Sequence, residues 1–345
     1  MGSDQGGTAK GRTMGVRSGI AVDLGTVNSL VHVHGHGLVV EEPSVIALDR
    51  VSGRVVAVGH HADELAGREP AGVEVVHPLR DGVISDLGAA ADMLRAFLHR
   101  ARFHASALRP HAVLCVPSGA TPIERDALLA AAAFGHRRLD ARLVDEPVAA
   151  ALSAGANPGS AEGVFTLDVG GGTTEAAVVV GVRMVAYRSL RFGGNAMDEA
   201  VGRAVRQVLG LRISQKDAER LKIELGVTGG ERGSATVVGM DLTTWSLEEL
   251  EVDGDVVAAA LERPVAAIAD AARELVAAMP PDLAKDVLNS GIQIAGGGAL
   301  LPGLAQRVEK EVGVGAVVVD DPLRSVVRGA GRLLEESFDS LEKTA

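Results

Sequence analysis

GIAVDLGTVNSLVHV (residues 19–33) and GVFTLDVGGGTTEAAVVV (residues 163–180) carry one pattern twice: an apolar run, an Asp, a turn of Gly and Thr, and a second apolar run. In a dinucleotide-binding fingerprint the glycine turn opens a helix. Here β-branched and apolar residues resume at once, Val31 and Val33 in the first copy and Val178, Val179 and Val180 in the second. Each copy therefore reads as strand, turn, strand. Short turns of this kind leave backbone N–H groups free to wrap phosphate oxygens, and an Asp ending each strand, Asp23 and Asp168, can hold a hydrated Mg²⁺ between them. Two such turns face to face would clamp one nucleotide tail. Alone, the first turn is equally an ordinary Asx-type hairpin. The three glycines of the second, Gly170, Gly171 and Gly172, cost backbone entropy that a structural turn does not require, so the pair favours phosphate.

With 345 residues, 47% of them hydrophobic, the chain is long enough for two domains with separate cores. Its net charge is −11 and no run of Lys and Arg forms a stripe, which argues against a nucleic-acid partner. Cys115 is the only cysteine and sits in the apolar run AVLCVP, so no disulfide forms within the chain and a reducing, cytoplasmic location fits. Residues 1–18 are polar and Gly-rich and read as a disordered tail, neither signal peptide nor membrane helix. No apolar run reaches the roughly 18 to 20 residues of a transmembrane helix, so any membrane contact is expected to be peripheral.

Between the hairpins, EEPSVIALDRVSGRVVAVGHHADELAG (41–67) reads as strand, turn, strand and short helix, a small insertion. Leu87, Ala90, Met93, Leu94, Phe97 and Leu98 recur at helical spacing over 86–101. A strand follows at 111–116, a helix at 122–134 and a short strand at 142–144, and the Asp-Glu-Pro opening of 145–154 marks a helix start. After the second hairpin come helices at 195–208 and 214–225, a β-like stretch at 234–251 and a helix at 255–277. IQIAGGGALLPGLAQRVEKEVG (292–313) reads as strand, glycine turn and helix, and a last helix spans about 322–341. Strands alternating with helices predict an α/β fold of two similar halves around a cleft, divided near 144–163.

Gly296, Gly297 and Gly298 allow close backbone approach to a flat group or phosphate, or form a tight β–α turn; the adenosine part of the same nucleotide is the more economical reading. Glu146, in the first turn of its helix, complements the helix dipole, and in a cleft it could orient a water that attacks a γ-phosphate. His32, His34 and His36 alternate on one strand, as metal ligands could, but no Cys or carboxylate completes a set, and His60 and His61 read the same way. Phe103, Ala105, Ala107 and Leu108, flanked by Arg100, Arg102 and Arg109, suit either an anionic membrane surface or a loop pinned on the core.

DLGTVNS, VDEPVAAALSAG, LDVGGGTTE, RFGGNAMDEAV, AERLKIELG and AGGGALLPGL, in this order and spacing, resemble the bacterial actins of the MreB/Mbl family; EEPSVIAL, HPLRDGVISD and CVPSGAT add to the likeness. It runs from about Gly19 to about Leu341. Single motifs are shared with chaperone ATPase domains and sugar kinases, but the ordered set is not. The resemblance implies an actin-like ATPase fold, two duplicated ribonuclease-H-like halves around a nucleotide cleft. It implies a first half at 19–144 with an outer subdomain near 43–84, a second at 145–321 with one near 192–253, and a C-terminal helix, 322–345, returning to the first half.

It further implies that Thr26, Val27 and Asn28, and Gly170, Gly171, Gly172, Thr173 and Thr174, meet the phosphates of ATP, while Asp23 and Asp168 hold Mg²⁺ through water. Glu146 would position the hydrolytic water; Glu219, Arg220, Leu221 and Lys222 would line the adenosine side, with Gly297, Gly298, Ala299 and Leu300 opposite. By the same resemblance, ATP-bound subunits assemble into paired antiparallel filaments at the inner face of the membrane. With scaffold and cell-wall synthesis proteins these organise peptidoglycan synthesis, setting cell shape or directing spore-wall assembly, with slow hydrolysis as a timer. A small-molecule kinase of the same fold, or a homologue that binds nucleotide without hydrolysis, is the alternative. Asp145, Ala295 and above all Asn195 depart from the family pattern, the last at a position where a carboxylate is usual. The tail also lacks the apolar face of a membrane-binding helix.

Overall fold

Gly19–Leu24 is buried along nearly its whole length because it is the middle strand of a five-stranded sheet, ordered Asp140–Asp145, His111–Val116, Gly19–Leu24, Asn28–Val33, Gly37–Pro43. The computed structural model in which this is seen describes residues 19–101, 110–136, 139–226 and 233–343. The tail and the apolar loop of Phe103, Ala105, Ala107 and Leu108 lie outside the described residues. Gly163–Val169 occupies the same place in a second five-stranded sheet, ordered Arg183–Leu190, Thr174–Val180, Gly163–Val169, Ile292–Ala295, Ala316–Val318. In both sheets the middle strand pairs antiparallel with the next strand of its hairpin and parallel with a strand reached through a long crossover. Numbered within its half, each sheet reads 3-2-1-4-5, so the sequence repeat is a repeat of topology. Strands with neighbours on both sides and cover on both faces read as continuous apolar runs, which is why the two hairpins stand out in the sequence.

Leu87–Arg100 covers the outer face of the first sheet, packing Met93, Leu94 and Phe97 on Ile20, Val22 and Leu114. Gly254–Ala277 does the same for the second with Leu261, Val265 and Ile268 against Phe165 and Leu167. Between the sheets lie two helices that exchange places. Glu146–Ser153 follows the last strand of the first sheet and packs on the second, whereas Ser325–Lys343 follows the last strand of the second sheet and packs on the first. They cross where Gly329 meets Ala149; a Cβ at Gly329 would overlap the Ala149 carbonyl. The seam around this crossing is built from small side chains, Ala21, Cys115, Ala149, Ala150, Ala295 and Ala330, which lets backbones approach. Cys115 is buried there as a free thiol.

A three-stranded sheet of Ile46–Asp49, Val55–Val58 and Val73–Val76 stands outside the first half. Another, of Leu211–Arg212, Ser234–Asp241 and Leu247–Asp253, stands outside the second beside helices Gly194–Leu209 and Gln215–Leu225. Several elements go beyond the sequence reading, three of them in the second half. Arg183–Leu190 alternates charged and half-buried residues at a sheet edge, Pro281–Ser290 is a short helix opened by proline, and Ala316–Val318 is too short to show a period. The residues after Gly296 form a single 3₁₀ turn, Gly297–Leu300, before the expected helix begins at Leu304.

Gly329 sits inside a helix, where Ala ordinarily stabilises by about 1 kcal/mol. Gly329→Ala is expected to reverse that sign, losing about 1–3 kcal/mol to overpacking against Ala149, while Gly315→Ala, with open space around it, stays within about 0.5 kcal/mol. Urea unfolding of both variants checks this.

Candidate functional site

The register of each hairpin decides what its turn presents. In the first, Asp23 pairs with Leu30 and Leu24 with Ser29, leaving Gly25 to Asn28 as the turn. Gly25 is obligatory, since a Cβ there would stand 2.7 Å from the Asn28 carbonyl oxygen. The Ser44 hydroxyl donates to the Gly25 carbonyl at 2.6 Å and the Ser44 N–H to the Val27 carbonyl at 2.8 Å, so the turn is pinned from behind. In the second hairpin Asp168 pairs with Glu175 and Val169 with Thr174, leaving Gly170 to Thr173 as the turn. The two turns meet tip to tip. A Cβ on Gly171 would overlap Val27, and one on Gly172 would overlap Thr26 and stand 2.9 Å from the Gly82 nitrogen. The glycines thus serve the approach of the two turns as well as any phosphate.

Above this contact is a cavity of about 340 Å³. Asp23, Thr26, Val27, Asn28, Glu146, Asp168, Gly170, Gly171, Gly172 and Thr173 line its floor. Glu219, Lys222, Gly297, Gly298 and Leu300 also line it. Four expected residues are turned away. Thr174 begins the returning strand and its hydroxyl donates to the Phe192 carbonyl at 3.0 Å. On helix Gln215–Leu225 the cleft face carries Glu219, Lys222 and Ile223, at spacings of three and four. Leu221 therefore falls on the core face, fully buried, and Arg220 on the outer face, pairing with Glu224 at 3.1 Å and donating to the Thr236 carbonyl. Ala299 packs into the core beneath its 3₁₀ turn.

Among the lining residues that the sequence reading missed are Gly82, Asp198, Ile223, Pro302, Leu323 and Val326. Only Asp198 carried a signal, a carboxylate in the helix just after the FGG turn. It is buried and holds Lys222, whose Nζ lies 2.8 Å from Asp198 Oδ1. Asn195 also lines the cavity, its N–H donating to the Gly171 carbonyl at 2.9 Å. Gly296 (φ 78°) leaves room for the Asp168 carboxylate, which a Cβ would overlap.

Charge concentrates on this floor. Burial raises Asp23 from 3.8 to about 7. Burial, with Glu175 and Asp23 nearby, does the same to Asp168. Glu146, at the first position of its helix and next to Pro147, is driven well above the carboxylate range by burial and then by Glu175, Asp23, Asp168 and Asp145. Asp145, the residue before it, makes no side-chain cap. Carboxylates that raise one another in this way call for a cation. Among the described residues no group of three or more His, Cys, Asp and Glu side chains could hold a metal directly. The same holds for the His32, His34 and His36 run. His32 is lowered chiefly by burial and lies 3.7 Å from Glu335 on the C-terminal helix, while His60 and His61 sit in a short exposed helix.

The MreB/Mbl protein family model matches residues 17–343. The chain belongs to the MreB/Mbl family. It is 38% identical to the cell shape-determining protein MreB of Escherichia coli (strain K12) over 324 residues, 92% of this chain and 93% of that one. It is 34% identical to the cell shape-determining protein Mbl of Bacillus subtilis (strain 168) over 326 residues, 94% and 97% of the two chains. Crystal structures of MreB5 of Spiroplasma citri bound to ADP and to AMPPNP superpose with a TM-score of 0.87 at 30% identity, covering 96% of this chain and 99% of theirs. A MamK double helical filament, at 24% identity and a TM-score of 0.78, shares the fold. The actin-like architecture expected of an MreB/Mbl chain is therefore present.

The raised pKa values of Asp23 and Asp168 make a stability prediction. Between 3.8 and about 7 the folded protein keeps protons that the unfolded chain has released, so the nucleotide-free protein loses stability as pH rises through that window. Asp168→Asn is expected to flatten the profile and raise the melting temperature at the alkaline end, as thermal melts across the window would show.

Proposed function

We propose that this protein is a cytoskeletal ATPase of the MreB/Mbl type, whose Mg²⁺-ATP-bound subunits assemble into filaments that determine cell shape. One observation carries the reading: two duplicated glycine turns meet tip to tip on the floor of a 340 Å³ cleft. Its support is the full-length likeness to proteins named for cell shape and to MreB5 structures holding ADP and AMPPNP.

In this reading the backbone N–H groups of Thr26, Val27 and Asn28 and of Gly171, Gly172 and Thr173 bind phosphate oxygens. Asp23 and Asp168 hold Mg²⁺ through water, and the ion offsets their mutual repulsion and supplies charge for the phosphates. Glu146 faces the same floor and orients water toward the γ-phosphate. Lys222, held by Asp198, and Glu219 meet the ribose and base, with Gly297, Gly298 and Leu300 opposite. Residues 19–144 and 145–321 act as two lobes, with outer subdomains near 43–84 and 192–253. Paired antiparallel filaments, peripheral contact with the inner face of the membrane, and partners among scaffold and cell-wall synthesis proteins complete the proposal. No helix among the described residues is long and apolar enough to cross a membrane. A small-molecule kinase is not favoured, because the full-length relatives are cell-shape proteins.

Pelleting with Mg²⁺-ATP, Mg²⁺-ADP or no nucleotide, with and without anionic liposomes, tests this reading; persistent monomers in every condition would refute it. Glu146→Gln is expected to keep nucleotide affinity while phosphate release falls by about 10²-fold. Across the mouth of the cleft, Lys216 Nζ lies 2.7 Å from Asp63 Oδ2 and also donates to the Asp63 carbonyl, joining the outer parts of the two halves. The pair is exposed and so contributes at most about 1 kcal/mol. Lys216→Glu is accordingly expected to speed nucleotide dissociation by no more than about fivefold, and Asp63→Lys in the same chain to restore it. Stopped-flow release of a fluorescent nucleotide measures both.

A further inference from the structure

Glu175 lies outside the cleft lining, yet it is paired directly with Asp168 across the second hairpin. It is 1% exposed, and most of its donors come from the other half of the molecule. Ser118 N–H donates to Oε2 at 3.0 Å, the Ser118 hydroxyl to Oε1 at 2.7 Å, and Gly119 N–H to Oε1 at 3.4 Å. The Ser189 hydroxyl, from the neighbouring strand, is a further donor. Gly119 is needed for this approach, because a Cβ there would stand 2.5 Å from Ser189 Oγ.

The Ser118 turn leads directly into helix Pro122–Gly135, whose N-terminus is closed by a capping box between Thr121 and Glu124. The same first turn is tied down twice more. Glu124 accepts two hydrogen bonds from Arg191 Nη2, at 2.9 and 3.0 Å, and Arg191 belongs to the second half. Arg125 pairs with Asp145, the residue before Glu146. One helix start thus touches the strand opposite Asp168, the far edge of the second sheet and the root of the helix that carries Glu146. After burial, Glu175 is the leading charge acting on both Asp168 and Glu146.

We propose that Glu175 is a positioning residue that couples occupancy of the nucleotide cleft to the placement of the two halves, acting through Ser118 and the first turn of helix Pro122–Gly135. This rests on the nucleotide reading of the cleft. Charge arriving between Asp23 and Asp168 alters the field on Glu175 and hence its grip on Ser118 and Gly119. The Glu124–Arg191 and Arg125–Asp145 contacts carry that change to the second sheet and to Glu146. Breaking a fully satisfied buried carboxylate is costly, so the grip has few intermediate settings.

The test compares full-length wild type with Ser118→Ala, Glu175→Gln and the double variant. Three quantities are read: affinity for ADP and AMPPNP, amide hydrogen exchange over residues 117–125, and the ratio of critical concentrations for assembly in ADP and ATP. Wild type is expected to exchange differently over this segment with AMPPNP than with ADP. Either single substitution should abolish that difference and change the assembly ratio by at least about fivefold, the lower end of ordinary coupling energies. ADP affinity should hold within about twofold, and the double variant should go no further than the stronger single, as residues acting through one contact do. A lowered melting temperature with an unchanged ratio and exchange difference, or additive effects, would overturn the proposal. If Glu175→Gln does not fold, Ser118→Ala, which removes one hydroxyl, decides alone. Wild type that binds neither nucleotide would refute the reading of the cleft itself, whereas binding retained without coupling refutes this proposal only.

Discussion

The contact on which the rest depends is between two turns, one of which has no room for side chains. Gly171 lies against the Val27 side chain and Gly172 against that of Thr26, so the glycine backbone of the second hairpin tip packs directly on the first. That approach brings Asp23 and Asp168, one on each middle strand, to the floor of a single cleft. It also explains why the two repeats are unequal. The first turn keeps Thr26 and Val27, and the second must then be glycine where those side chains fall. The triple glycine is thus doubly determined, by the phosphate nest it can form and by the partner turn it must admit.

Burying these carboxylates near one another has an electrostatic cost. Asp23 and Asp168 are held near 7, and Glu146 is raised further. A fold that accepts this loss of stability does so where function requires the charge, and the arrangement favours a ligand that brings cations with it. On the proposed reading, nucleotide and Mg²⁺ are then part of the stability of the closed molecule, and removing one phosphoryl group changes the balance on the same floor.

The two middle strands and their hairpins were legible in the sequence because central strands are apolar on both faces, leaving Asp and Gly conspicuous at their ends. The helices with a one-sided apolar stripe, such as Leu87–Arg100, were legible for the same reason. Arg183–Leu190 was not, since an edge strand with Arg183, Arg188 and Tyr187 facing out shows no continuous run. For the site, motif matching named AERLK as a block, whereas a helix can turn only part of such a block toward the cleft. Glu219 and Lys222 face it; Arg220 and Leu221 cannot. Thr174 and Ala299 were lost similarly, to strand alternation and to a 3₁₀ turn that buries one residue of the glycine segment. Gly82 and Leu323 come from distant parts of the chain, and their approach to the cleft is tertiary information.

The exchange of helices between the two sheets places, on the proposed reading, chemistry and motion on one element. Glu146 stands at the start of Glu146–Ser153, and the Ala149–Gly329 crossing lies less than one turn further along the same helix. Any displacement of Glu146 is passed to that crossing, where the seam of small residues brings the two helix backbones close and leaves no slack for a larger side chain. On the proposed reading the group that orients water is built into this joint, an arrangement suited to a nucleotide site whose output is a change in the angle between two halves.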